Sequence, residues 1–161
     1  MQHQQSMIII RPLHAEDAPQ LLRLFKETIR QVNAADYSPA QIAAWAPDEI
    51  SEADWAARVS GRFVVVAEAK GDIAGFAELE TDGRIDRFYV SATHQGLGVG
   101  RALLAALVEH AEQVGIARLS ADVSITARPF FERQGFVVVA PQIVTLRGVE
   151  FLNYRMARSL N

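Results

Sequence analysis

The stretch Arg84-Ile-Asp-Arg-Phe-Tyr-Val-Ser-Ala-Thr-His-Gln-Gly-Leu-Gly-Val-Gly-Arg101 runs into an apolar-periodic segment, Ala102 to Val114, and decides how the chain reads. A strand gives way to a glycine loop and then a helix, with Gly96, Gly98 and Gly100 on alternate positions where the helix must begin. Glycine lets the backbone come close to a ligand, and the first amides of a helix lack partners within the helix and point outward. The helix dipole adds favourable potential for an anion. Arg101, in the first turn, opposes that dipole, and a bound anion would relieve it. The segment predicts a phosphate site.

Spacing restricts the ligand. A dinucleotide fingerprint requires Gly-x-Gly-x-x-Gly, and counting from Gly96 and Gly98 puts Arg101 where the third glycine belongs. A Walker loop requires Gly-Lys-Ser/Thr, a tripeptide absent from the chain. What remains, Gln95-Gly96-Leu97-Gly98-Val99-Gly100 after a strand ending Phe88-Tyr89-Val90, resembles the acyl-CoA pyrophosphate loop of the GNAT N-acetyltransferase superfamily, Gln/Arg-x-x-Gly-x-Gly/Ala.

The remaining sequence bounds the function classes. At 161 residues, half of them apolar and 22% charged, the chain has the profile of one soluble globular domain, expected over 7–161 after a loose, disordered N-terminal tail, 1–6. No apolar run approaches the ~18 residues of a membrane span. The polar tail lacks the basic start and apolar core of a signal peptide. The absence of cysteine excludes disulfides and thiolate nucleophiles and makes a reducing cytoplasm the default compartment. The net charge is −3, and no basic stripe with interleaved aromatics supports nucleic-acid binding. No His, Asp or Glu cluster has metal-ligand spacing.

Along the chain, Met7 to Arg11 suits a first strand, and Glu16-Asp17-Ala18-Pro19 opens a helix whose apolar face is Leu21, Leu22, Leu24, Phe25 and Ile29. Ser38 and Ser51 cap two further short helices. Beyond Gly61 the period becomes strand-like, with runs at 63–68, 73–80 and 84–91 separated by turn signals, an antiparallel meander. The glycine-loop helix follows, with an apolar stripe at 99, 103, 104, 107, 108 and 111. A strand at 119–124, a helix at 126–134 and two strands at 137–146 and 149–156 complete the order. The pattern predicts one α/β (α+β) domain, a mixed, mostly antiparallel sheet of six to seven strands flanked by about four helices.

That order is also the order of the GNAT fold. A second segment, Ala127-Arg-Pro-Phe130-Phe131-Glu132-Arg-Gln-Gly135-Phe136, resembles the superfamily's Ala-x-x-Phe-Tyr-Glu-x-x-Gly-Phe. Tyr37 to Ala46, Ser124 to Arg133 and Leu146 to Val149 are similar to the YafP-like bacterial branch. The resemblance implies acetyl-CoA as cofactor and an amine as acceptor, joined by direct attack in a ternary complex. It implies no nucleic-acid or membrane partner, and a monomer or homodimer.

By that resemblance, the pyrophosphate lies on the amides of Gln95, Gly96, Leu97, Gly98, Val99, Gly100 and Arg101, and the pantetheine along Phe88, Tyr89 and Val90, with Ser124, Phe130 and Phe131 beside it. Asp86 stands four residues before Val90, where family members often carry the acid that accepts the amine's proton. Arg84 or Arg87 could equally hold Asp86 as a structural ion pair, and Glu78 and Glu80 on the neighbouring strand are the other candidate bases. Tyr37 and Trp45 flank the acceptor pocket by the same analogy, with Glu78 on that side. Phe131 departs from the family, which often has tyrosine there to protonate the leaving thiolate. Ser124, itself a departure from asparagine, Tyr89 and Tyr154 are the replacements in reach. His94 reads as a solvated or phosphate-adjacent side chain. The departures motivate an alternative function, an acyl-CoA-binding regulatory module that is catalytically weak or inactive.

Overall fold

The computed structural model describes residues 7–59 and 62–160, so the expected tail, residues 1–6, lies outside the described residues. Among the described residues, seven strands form one sheet in the order β1-β2-β3-β4-β5-β7-β6. They are β1 (Ile8–Pro12), β2 (Phe63–Ala69), β3 (Asp72–Leu79), β4 (Arg84–Val90), β5 (Arg118–Ser124), β6 (Val137–Leu146) and β7 (Val149–Ser159). Five α-helices accompany them, against about four expected: α1 (Ala18–Gln31), α2 (Pro39–Trp45), α3 (Glu52–Val59), α4 (Val99–Gln113) and α5 (Arg128–Arg133).

Local chemistry explains the joints. Lys70 and Gly71 both have positive φ, 54° and 83°, as do Arg147 and Gly148 at 49° and 76°. Each pair therefore makes a two-residue hairpin that matches the strand twist. Ser38 accepts a hydrogen bond from the Gln41 amide at 3.2 Å while Gln41 Oε1 accepts one from the Ser38 amide at 2.8 Å, a complete capping box for the seven-residue α2. Ser51 caps α3 through the Asp54 amide at 3.0 Å.

The sheet is covered on both faces. Val99, Leu103, Leu104, Leu107 and Ala111 of α4 are buried in one core with Ala77, Leu79 and Ile85, while Val108 packs at its margin. On the other face, Leu21, Leu22, Leu24, Phe25 and Ile29 of α1 meet Trp55, Val66 and Phe76.

Two irregularities in β4 place the site. The first is a bulge: β3 and β4 are in register at Ala77↔Phe88 and again at Leu79↔Ile85, so Asp86 and Arg87 together oppose Glu78. The second is a splay. Among the described residues β4 and β5 are the one parallel pair, and their pairing is confined to Arg84↔Ser120 and Ile85↔Ala121. Beyond Ile85, the β4 edge facing β5 has no strand partner among the described residues.

Candidate active site

A cleft of about 580 Å³ opens where β4 and β5 part, running from the N-terminus of α4 to Ser124. Its floor is the aromatic packing of Phe88, Phe130 and Phe131, with ring centroids 5.3–5.6 Å apart. Phe131 is 3% exposed and packs on Phe136 as well. At the other end, Gly96 and Gly98 sit at φ 74° and 87°, and Gly98 is the left-handed N-cap of α4. Arg101 lines this end without a carboxylate partner among the described residues. The loop therefore presents unpaired amides and a free cation to one place. Gly100 serves packing, because a Cβ there would lie 3.0 Å from Phe130 Cε1. Leu97 is 52% exposed and is absent from the cleft wall.

The end of β4 is held from outside the sheet. The Val90 carbonyl accepts from Thr28 Oγ1 at 3.1 Å and from Gln95 Nε2 at 2.8 Å. Gln95 thus acts through its side chain as a brace for the strand. Gly75, opposite Val90, is forced by crowding: an added Cβ would meet the Tyr89 carbonyl at 2.8 Å.

A second pocket of about 190 Å³ lies beyond the splay, walled by Tyr37, Trp45, Tyr89 and Phe151 and edged by Asp86 and Asp122. Tyr89 and Ser124 line both spaces and form the junction between them. The Ser124 hydroxyl accepts from the Ala127 amide at 3.0 Å and from Asn33 Nδ2 at 3.4 Å, leaving its own proton free to donate. Burial raises the Tyr89 phenol, opposed by a hydrogen bond that its oxygen accepts from Trp45, so it keeps its own proton to donate. Tyr37 spends its hydroxyl on structure, donating to the Leu152 carbonyl at 2.8 Å and accepting from the Ile125 amide at 3.0 Å. Only its ring faces the pocket. Tyr154 lines neither space; it lies under the Arg128 guanidinium at 4.4 Å. His94 edges the first cleft and bonds Thr93.

Asp86 meets three guanidinium groups, hydrogen-bonding Arg62, with Arg84 at 3.3 Å and Arg58 at 3.6 Å. Burial pushes its carboxyl up, but the arginines outweigh burial and hold it below the ordinary aspartate range. Glu78 has the opposite fate. It is fully buried and lines neither the 190 Å³ pocket nor the cleft outside it, so the expected acceptor-side position is not realised. Desolvation drives its carboxyl up to about 7 against the opposing charge of Arg87, whose Nε lies 2.8 Å away.

The profile of the acetyltransferase (GNAT) domain matches residues 33–158. The chain belongs to the GNAT acetyltransferase family. The N-acetyltransferase YafP of Escherichia coli (strain K12), itself uncharacterized, is 36% identical over 149 residues, which cover 92% of this chain and 94% of that protein. A GCN5-related N-acetyltransferase from Rhodopseudomonas palustris superposes with a TM-score of 0.92 at 34% identity, over 99% of both chains. The PaiA N-acetyltransferase of Thermoplasma acidophilum, solved in complex with coenzyme A, shares the fold at a TM-score of 0.77 and 21% identity, over 95% of this chain and 99% of that one.

Within this GNAT chain several contributors lie far from the motifs that announce the family. Thr28 and Asn33 come from α1 and the turn after it, and both are buried polar residues. A polar side chain on the otherwise apolar face of α1 was the available signal for Thr28. Arg62, which bonds Asp86, carried no signal, since nothing local to it specifies a partner 24 residues away.

Proposed function

We infer that this GNAT protein transfers the acetyl group of acetyl-CoA to a primary amine, of a small molecule or of a protein N-terminus or lysine, by direct attack within a ternary complex. The observation that carries the reading is the splay of β4 from β5, which joins a long cleft under the α4 N-terminus to a small pocket at Tyr89 and Ser124. The residues fit the cofactor. Amides 96–101 and Arg101 suit a pyrophosphate, and the unpaired edge of β4 at Phe88, Tyr89 and Val90 suits an extended amide-bearing arm. When bound, acetyl-CoA supplies a thioester whose acetyl carbon bonds the amine nitrogen as the carbon–sulfur bond breaks.

The chain's own groups then manage charge and protons. Free β4 amides polarise a carbonyl placed against them, an effect worth ~3 to 4 kcal/mol for one well-aimed donor. Asp86 is the pocket carboxylate placed to receive the amine's proton directly or through water, with its basicity reduced by the three arginines around it. Ser124 and Tyr89, both holding protons at the junction, are positioned to donate to the departing sulfur. The absence of cysteine leaves no acyl-carrying thiolate, consistent with attack without a covalent enzyme intermediate.

Calorimetric titration with acetyl-CoA, followed by assay of thiol release against an amine panel, tests the reading. Binding with release on at least one amine is expected, and no binding at millimolar acetyl-CoA removes it. Phe131, an apolar ring beside the cleft where a hydroxyl is common in the family, favours the second reading of a non-catalytic acyl-CoA module. Affinity without release on any amine would establish that one instead.

A further inference from the structure

The pocket that receives the amine continues outward into a cleft of about 680 Å³, and the two spaces differ in charge. The inner pocket is lined by two charged side chains, the carboxylates of Asp86 and Asp122. Beyond those shared acids, the outer cleft adds four arginines, Arg58, Arg84, Arg87 and Arg147, against two acids, Glu49 and Asp54. A molecule cationic at its inner end and anionic at its outer end complements this gradient.

The arginines are not equally available. Arg84 bridges Asp86 and Asp122, Arg58 leans on Asp86, and Arg147 donates to the Ala44 carbonyl at 2.7 Å. Arg87 differs: it is 4% exposed, lines the outer cleft, and its Nε, Nη1 and Nη2 are all buried without a hydrogen-bond partner among the described residues. Its neighbour Glu78 is close to Nε but out of line, so the two form an ion pair without a hydrogen bond. The Trp55 ring lies 3.9 Å beneath the guanidinium and holds it in place. Buried donors without partners are rare in native proteins and point to a missing ligand. A guanidinium whose two terminal nitrogens lack partners is the fork that a carboxylate fits bidentately, once the cleft wall opens enough to reach them. The β4 bulge brings this about, since it sets Arg87 beside Asp86 in the same cleft wall.

We propose that the acetyl acceptor is a free amino acid or a compact amino-acid-like molecule, its amine entering the pocket of Asp86 and Asp122 and its carboxylate held by Arg87. This rests on the acetyltransferase reading and narrows its substrate class to small molecules carrying both groups.

The test compares each amino acid with its decarboxylated amine, phenylalanine with phenethylamine, methionine with 3-(methylthio)propylamine and lysine with cadaverine, by thiol release from acetyl-CoA. In the wild type, kcat/KM is expected to favour the carboxylate-bearing member of at least one pair by about tenfold or more, the equivalent of one good charged contact. Arg87→Met, which keeps an unbranched side chain over Trp55, should collapse that preference toward one, chiefly by raising KM for the amino acid. Should circular dichroism show that variant unfolded, the double variant Glu78→Gln, Arg87→Met removes both buried charges and carries the same comparison. Turnover that never favours an amino acid over its amine, or a preference that survives loss of Arg87, overturns the proposal while leaving the acetyltransferase reading intact. Failure to bind acetyl-CoA in calorimetry overturns both, and that result is seen before any acceptor is added.

Discussion

Replacing Asp86 by asparagine removes the charge that Arg62, Arg84 and Arg58 surround, and two separate pH effects follow. The rate on an accepted amine should fall with little change in acetyl-CoA affinity, and should recover in part as pH rises and more amine is neutral without help. A pH-rate profile from 6 to 9 checks this; an unchanged rate across the range removes Asp86 from the proton path. Stability moves at the acid end. The folded carboxyl is depressed, so its contribution is present above the unfolded value near 3.8 and is lost as pH falls through the folded one. Urea midpoints below about pH 4 should therefore fall more steeply for the wild type than for Asp86→Asn. Phe131 permits the converse experiment. Phe131→Tyr adds a hydroxyl on a ring beside the junction, and the expected result is a higher kcat with unchanged acetyl-CoA affinity. An unaltered kcat would assign the proton to Ser124, Tyr89 or solvent.

Among the elements, the glycine loop and the C-terminal strands carry different loads. Gly98 starts α4 at φ 87°, so Gly98→Ala should cost about 1 to 2 kcal/mol of stability through backbone strain alone. If the loop cradles a pyrophosphate, the same change should also weaken acetyl-CoA by about tenfold, roughly 1.4 kcal/mol. Melting curves and calorimetry on one preparation separate the two, and a lowered melting temperature with unaltered affinity would leave the loop as a turn only. Tyr37 ties the strand ends together, one hydroxyl serving Leu152 and Ile125. Tyr37→Phe leaves that carbonyl and amide unpaired in a half-buried place and should cost about 1 to 3 kcal/mol by urea unfolding. Only the first of these loads was readable. Glycines at alternate positions ahead of an apolar stripe announce a strand-loop-helix joint. A tyrosine after Ala34-Ala35-Asp36 says nothing of a partner 115 residues away.

At the scale of the molecule, the seven-stranded sheet is continuous but loosened at its centre, and amide exchange should reveal it. Amides of residues 86–90 that face β5 should exchange faster than those of β2 and β3 in the free protein, and should slow with residues 96–101 when acetyl-CoA is added. Uniform protection with or without acetyl-CoA would argue against a site at the splay. The strands, the helices and the glycine loop ahead of α4 were legible in the sequence because they rest on local physics: period, capping hydroxyls and glycines where φ must be positive. The bulge and the splay were not, because each is a register relation between strands and leaves no mark on either strand alone. The same holds for the charges. That Asp86 and Glu78 are acids is written in the chain, but three arginines on one and burial of the other drive their proton affinities in opposite directions. Sequence by itself determined the family, the order of elements and the place of the glycine loop; tertiary structure alone decided which carboxylate is held below its ordinary range and which is pushed above it, and which arginine is left with unpaired donors, because electrostatic environment is set by neighbours that only folding brings together.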